Sequence, residues 1–185
     1  MARVWKFGAD VDTDQIVPGR YAPYMRPDDD VANAAFIEAR PEFAQSARPG
    51  DVIVAEQNFG CGSSREYAPL ALKRRQIGAI IALSFARIFY RNAINLGIPL
   101  IVSPEAVKAL QDGDDVTLDL AAGRVTRGDS EIALPPLPDF AQQIVNAGGI
   151  VAYVREHGRF PGEASPPAPL KPREVGHTVE REDQS

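Results

Sequence analysis

The sequence predicts an α/β fold of β/β/α type: a mixed, partly parallel sheet or barrel-like core with flanking helices. Three observations carry the prediction. Val52-Ile53-Val54-Ala55 and Ala79-Ile80-Ile81-Ala82-Leu83 are short, unbroken apolar runs, the pattern of strands buried on both faces of a parallel sheet. Helical stretches separate these runs and follow them, so the connections are crossovers. Further on, two alternating runs flank Ala121-Ala122-Gly123, which reads as an antiparallel hairpin.

In chain order, Ala2 to Phe7 alternates and predicts a strand. Residues 8–19 form a turn-rich loop carrying Asp10, Asp12, Thr13 and Asp14. Residues 21–30 are a second loop, because Pro23 and Pro27 oppose a helix there. Short helices are expected over 31–39 and 41–47, and Arg48-Pro49-Gly50-Asp51 turns into the Val52 strand. A helix is expected from the glycine-rich stretch at 58–66 to about Gln76, with Pro69 near its start. Ser84 is placed to cap a helix over 85–96, and Gly97 to stop it. A strand at 99–102, a helix at 106–111, strands at 116–120, 124–126 and 132–134, and a helix at 140–157 broken by Gly148-Gly149 complete residues 1–160. Beyond them, residues 161–185 hold Pro161, Pro166, Pro167, Pro169 and Pro172, many charges and almost no apolar side chains. Such a segment cannot bury enough surface to offset its ordering entropy, so disorder or partner-dependent folding is expected.

Composition excludes several functions. A net charge of −5 with no basic run argues against nucleic acid or anionic membrane as a partner. No apolar run is long enough to span a bilayer, and the first residues lack a signal-peptide pattern. Cys61 is the sole cysteine, so the chain forms no internal disulfide and builds no cysteine-ligated metal cluster by itself. These features fit a reducing, cytoplasmic setting.

The densest chemistry lies in Asn58-Phe59-Gly60-Cys61-Gly62-Ser63-Ser64-Arg65-Glu66. Ser63 and Glu66 have capping-box spacing. A strand, a glycine turn and a helix start gather free N–H groups suited to an anion. The Arg65 fork suits a carboxylate. The loop therefore predicts a carboxylate held beside a hydroxyl, which is chemistry on a small organic acid. On residue pattern alone, Ser63 also reads as a plain cap, Arg65 as a surface ion pair and Asp14 as a residue ordering its own turn. A thiol near a helix start has a depressed pKa in principle. Cys61 nevertheless reads as structural, since the only histidines are His157 and His177.

Asp12-Thr13-Asp14-Gln15-Ile16, the stretch from Gly60 to Glu66, and Ser84-Phe85-Ala86-Arg87-Ile88-Phe89-Tyr90-Arg91-Asn92 together resemble three motifs of the aconitase superfamily swivel domain. They follow in the same order and at compatible spacing, and the resemblance spans about residues 2 to 157. A free-standing swivel domain implies the small subunit of a hydro-lyase of isopropylmalate-isomerase type, acting in leucine biosynthesis. Such an enzyme dehydrates a 2-hydroxy di- or tricarboxylic acid and rehydrates the alkene at the neighbouring carbon. The resemblance implies that this chain binds no cofactor and that a 4Fe-4S cluster sits in a separate large subunit, in a heterodimer or larger assembly. It implies Ser63 as the proton-abstracting base, with Asp14 and Thr13 close by, and Ser64 and Arg65 as carboxylate contacts. Arg87 either reaches the site or buttresses the Asp14 loop.

The loop holding Tyr24 and Arg26 is implied to meet the substrate's variable group. Proline at position 23, with Tyr24 and Met25 after it, suits an isopropyl or methyl group. Tyr67 stands where histidine is usual. Sibling hydro-lyases acting on dimethylmalate, citraconate or homocitrate, and a non-catalytic carboxylate-binding module, are the alternatives.

Overall fold

A computed structural model describes residues 1–25 and 30–163. The expectations for Arg26 and for the tail beyond residue 163 lie outside the described residues.

Seven strands form one sheet: β1 (Ala2–Lys6), β2 (Val52–Ala55), β3 (Ala79–Ala82), β4 (Leu100–Val102), β5 (Asp115–Asp119), β6 (Arg124–Arg127) and β7 (Ser130–Ala133). Their spatial order is β4-β3-β2-β1-β5-β6-β7. The first four strands are mutually parallel, with Val4 opposite Val52, Ile53 opposite Ile80 and Ile81 opposite Ile101. β5 pairs antiparallel with β1, and β5, β6 and β7 continue as an antiparallel meander. The helices are α1 (Thr13–Ile16), α2 (Pro41–Ser46), α3 (Tyr67–Arg74), α4 (Arg87–Asn95), α5 (Pro104–Ala109), α6 (Asp139–Asn146) and α7 (Ile150–His157).

Alternation along the parallel strands sends side chains into two cores. Trp5, Ile53, Ala55, Ile80, Ala82 and Leu100 face α3, α4 and α6, meeting Leu72, Phe89, Ile94 and Ile144. Val4, Val52, Val54, Ala79, Ile81 and Ile101 face the other way, onto α5 and onto Val116 and Val125 of the curled antiparallel part. β2 and β3 are buried at every residue, which is why they are apolar throughout. Each Val or Ile side chain there contributes about 1.5–3 kcal/mol by leaving water.

One buried carboxylate ties the sheet's starting edge. Asp51 accepts from the backbone N–H of Arg3 and of Arg48, both at 2.9 Å, and from Trp5 Nε1 at 2.8 Å. Its burial is tolerated because both oxygens are satisfied.

Several helix boundaries differ from the sequence reading. Residues 31–34 make only a 3₁₀ turn. Ser84 caps nothing: its Oγ accepts the Asn58 N–H, and α4 starts at Arg87 behind Ala86. The stop at Gly97 is as expected. Gly97 N–H reaches the Ile94 carbonyl at 2.8 Å and Ile98 N–H the Ala93 carbonyl at 3.0 Å, the paired bonds of a Schellman end. The stretch after Lys6 is not loop throughout, because α1 forms with Asp12 as its cap.

Candidate functional site

Three connections leave the C-terminal ends of β1, β2 and β3 and lie side by side, where open parallel sheets place their ligands. Isolated parallel bridges join Asp12 to Cys61 and Phe59 to Phe85. Gly60 N–H donates to the Val11 carbonyl at 2.7 Å, Thr13 N–H to the Cys61 carbonyl at 3.0 Å, and Ala86 N–H to the Phe59 carbonyl at 3.0 Å. The three resembling motifs are thus one laced surface.

The first connection is rigidly capped. Asp12 Oδ1 accepts the Gln15 N–H at 2.7 Å, and Gln15 Oε1 accepts the Asp12 N–H at 3.2 Å. This capping box satisfies orphan donors at both residues. It buries Thr13, whose hydroxyl donates to the Ser63 carbonyl at 3.0 Å. Thr13 thus braces the backbone of the serine.

The second connection carries Ser63 and Ser64. The capping box expected between Ser63 and Glu66 does not form. α3 begins at Tyr67, and its cap position, Glu66, makes no side-chain cap bond. Pro69 explains the start, since its missing N–H fits only the first turn. Gly60 and Gly62, at φ +80° and +85°, turn the chain sharply before it. At Gly60 a side chain is excluded, because a Cβ would lie 2.1 Å from Phe89 Cγ. Ser63's carbonyl also accepts the Arg65 N–H at 2.8 Å. Both serines are exposed, and neither hydroxyl has a partner among the described residues. The backbone is held and the hydroxyls are free.

Arg65 turns back to form an ion pair with Asp14. A Cβ on Gly19 would come within 3.4 Å of Arg65 Nη1, so that glycine gives the guanidinium its room. The guanidinium lies 5.9 Å from the Tyr67 ring centroid, and Tyr67 meets Tyr24 edge to face at 6.1 Å. Burial opposes the Arg65 charge, but Tyr67 and Asp14 outweigh it and raise its pKa. Asp14 is therefore Arg65's partner; of the two roles read for Arg87, the buttress has no ion pair behind it among the described residues. Arg87 is exposed at the start of α4, without an ion pair among the described residues, beside Tyr90 and Arg91. Tyr24 is 72% exposed, so its ring is accessible above this group.

Cys61 does not fit a reactive role. Burial pushes its thiol up, and the charges of Asp12 and Asp10 add to that. One such cysteine does not fit an iron–sulfur cluster, and among the described residues no three His, Cys, Asp or Glu side chains are placed to hold a metal ion. No described helix is long and apolar enough to cross a membrane.

The roles of Asp12 and Gly19 were missed in the sequence. Asp12-Thr13-Asp14-Gln15 carries the same capping signature as Ser63-Ser64-Arg65-Glu66, and that repeat was the available signal. Nothing local marks Gly19, whose role depends on Arg65 folding back.

Comparison with known proteins covers this whole surface. The aconitase C-terminal domain family model matches residues 11–105, which include all three connections. The chain is 54% identical over 163 residues to the homoaconitase small subunit of Thermus thermophilus, covering 88% of this chain and 100% of that protein. It is 50% identical to 3-isopropylmalate dehydratase small subunit 1 of Deinococcus radiodurans, covering 88% and 92%. The crystal structure of 3-isopropylmalate dehydratase from Methanocaldococcus jannaschii superposes with a TM-score of 0.76 at 42% identity, over 85% of this chain and 93% of that one. The braced serine loop, its arginine and the sheet that aligns them fall within shared sequence and shared fold, and the chain belongs to the aconitase C-terminal domain family.

Proposed function

We propose that this chain is the small subunit of a hydro-lyase that interconverts 2-isopropylmalate and 3-isopropylmalate, working in the cytoplasm as a heterodimer or larger assembly with a large subunit. The observation that carries the reading is the free Ser63 hydroxyl on a braced backbone beside Arg65.

Arg65 offers its fork to a substrate carboxylate, and Ser64 offers a second donor. Asp14 holds the fork until the acid arrives. Ser63, as alkoxide, takes the proton from the carbon next to the hydroxyl-bearing carbon. The C–H electron pair becomes the second bond of the alkene as hydroxide leaves. Return of hydroxide to the other carbon, with the proton returned from Ser63, gives the isomer. A serine is a weak base at its ordinary acidity, so the alkoxide needs nearby positive charge. Arg65 and the N-terminal end of α3 supply it. The Lewis-acid chemistry that polarises the departing hydroxyl belongs to an iron–sulfur cluster in the large subunit. Leu83, Ile88 and Val102 expose apolar surface around the ends of β3 and β4, a rim suited to burial against that subunit.

The exposed Tyr24 and Met25 favour an apolar variable group. A second reading, homoaconitase, is favoured by the 54% identity to a homoaconitase small subunit. The test is reconstitution with a cluster-bearing large subunit, followed by the absorbance of the alkene. Turnover of 2-isopropylmalate above homocitrate supports the first reading, and the reverse order supports the second. Inactivity on both, and on dimethylmalate and citraconate, rejects the enzyme.

A further inference from the structure

The exposed face of α4 breaks two local rules. Arg87 stands in its first turn, where the helix dipole disfavours a cation, and no acidic residue of that turn offsets it. Arg91 follows four residues later on the same face, and like charges at that spacing repel. Both side chains are exposed, and neither has an ion pair among the described residues. The two arginines border a cleft of about 290 Å³ between α4 and the start of α6. Phe85, Tyr90 and Phe140 wall it, and the Phe140 ring is 50% exposed. The chain carries a net charge of −5, yet no carboxylate lines this cleft. Arginine beside aromatic rings, without acids, is the composition of a protein–protein contact. Local rules broken with no gain inside the chain mark a functional surface.

We infer that this cleft receives an acidic segment of the large subunit, which sets a carboxylate between Arg87 and Arg91 and an apolar side chain against Phe140. The inference deepens the proposed hydro-lyase reading and rests on it. In that reading the cluster reaches Ser63 from a second chain, so that chain covers the C-terminal ends of β1, β2 and β3. Arg87 opens the helix that follows β3 at that end, and Arg91 lies about 6 Å further along the axis. Ile88, exposed beside Arg87, belongs to the apolar rim there. The cleft continues that rim and adds charge to it. The arginines steer approach and fix register, and the Phe140 ring supplies area to bury. An incoming carboxylate breaks no existing ion pair, since neither arginine has one among the described residues.

Wild type, Arg91→Glu and Phe140→Ala, each as the full chain, are titrated with the cluster-bearing large subunit by calorimetry at low and high salt. Turnover of 2-isopropylmalate and homocitrate is then measured with the large subunit in excess. Arg91→Glu is expected to raise Kd about thirty-fold at low salt and by less at high salt, because it exchanges attraction for repulsion that salt screens. Phe140→Ala is expected to raise Kd about ten-fold at both salts. With the large subunit saturating, kcat is expected within about two-fold of wild type for both variants. The thermal midpoint of isolated Arg91→Glu is expected to match or exceed wild type, since a like-charge pair has gone. A photocrosslinking benzoylphenylalanine in place of Phe140 is expected to join a large-subunit peptide that contains Asp or Glu. An active wild-type pair with unchanged Kd in Arg91→Glu, a lowered midpoint in that variant, or a crosslink to this chain or to a second copy of it overturns the inference and leaves the reaction standing. A wild-type chain that binds no large subunit and turns over neither acid overturns the reaction and the inference with it.

Discussion

The loop after β1 and the loop after β2 carry the same four-residue signature, a cap-forming residue followed three positions later by Gln or Glu. In the first, Asp12 and Gln15 close a capping box, a short helix forms, and Thr13 is buried. In the second, Ser63 and Glu66 make no such box and both stay exposed. The two loops touch, and the closed one holds the open one: Thr13 bonds to the carbonyls of Cys61 and Ser63 through its N–H and its hydroxyl. The difference teaches how a hydroxyl is kept available without a flexible backbone. Polar groups of one loop are spent on bracing, and the hydroxyls of the other stay unspent.

Mutations that break this division should rank by which loop they strike. Ser63→Ala removes the free hydroxyl and no bracing contact. Turnover by the reconstituted pair should fall at least about a thousand-fold, with the thermal midpoint and large-subunit binding unchanged. Arg65→Lys keeps the charge and loses the fork. It should weaken substrate binding by roughly ten- to a hundred-fold, measured as KM. Gly60→Ala attacks the geometry that lets the open loop turn. Its Cβ would overlap Phe89 at a positive φ, so unfolding free energy in urea should drop by about 3 kcal/mol. Asp12→Ala strikes the bracing loop. It should cost about 1 kcal/mol of stability and lower kcat as well, because Ser63 loses its fixed carbonyl.

Acid should have the smallest effect on stability, through two carboxylates that lie away from both loops. Burial alone would raise the Asp112 pKa, but bonds from Arg40 and from the Lys6 N–H outweigh it and hold it low. Asp114 is held low by the Gln111 N–H and Arg127. A carboxylate depressed in the folded state contributes stability above its unfolded pKa of about 3.9 and loses it as pH falls through the folded value. Thermal midpoints should therefore be flat near neutrality and decline below about pH 4. Asp112→Asn should flatten that decline while leaving the pair's kcat in place.

Much of the fold was legible because its signals are local. β2 and β3 announce themselves as apolar runs, and Gly97 marks the end of α4. Gly148 and Gly149 divide α6 from α7. Where the reading went astray, the deciding forces lay at a distance. Two capping signatures looked alike, and only Pro69's demand for a first-turn position, with the glycine turns before it, decided against the second. Ser84 looked like a cap but was recruited across the sheet by Asn58. The pairing of Asp14 with Arg65 joins residues 51 positions apart, and no window of sequence contains both.

The central claim is that the free Ser63 hydroxyl is the base of a reaction shared between two chains. Stopped-flow absorbance of the alkene formed from 2-isopropylmalate by the wild-type pair and by the Ser63→Ala pair tests it most directly. The account predicts alkene formation by the wild-type pair and none above background by the variant, with both complexes equally formed. Alkene formation by Ser63→Ala at the wild-type rate would contradict it.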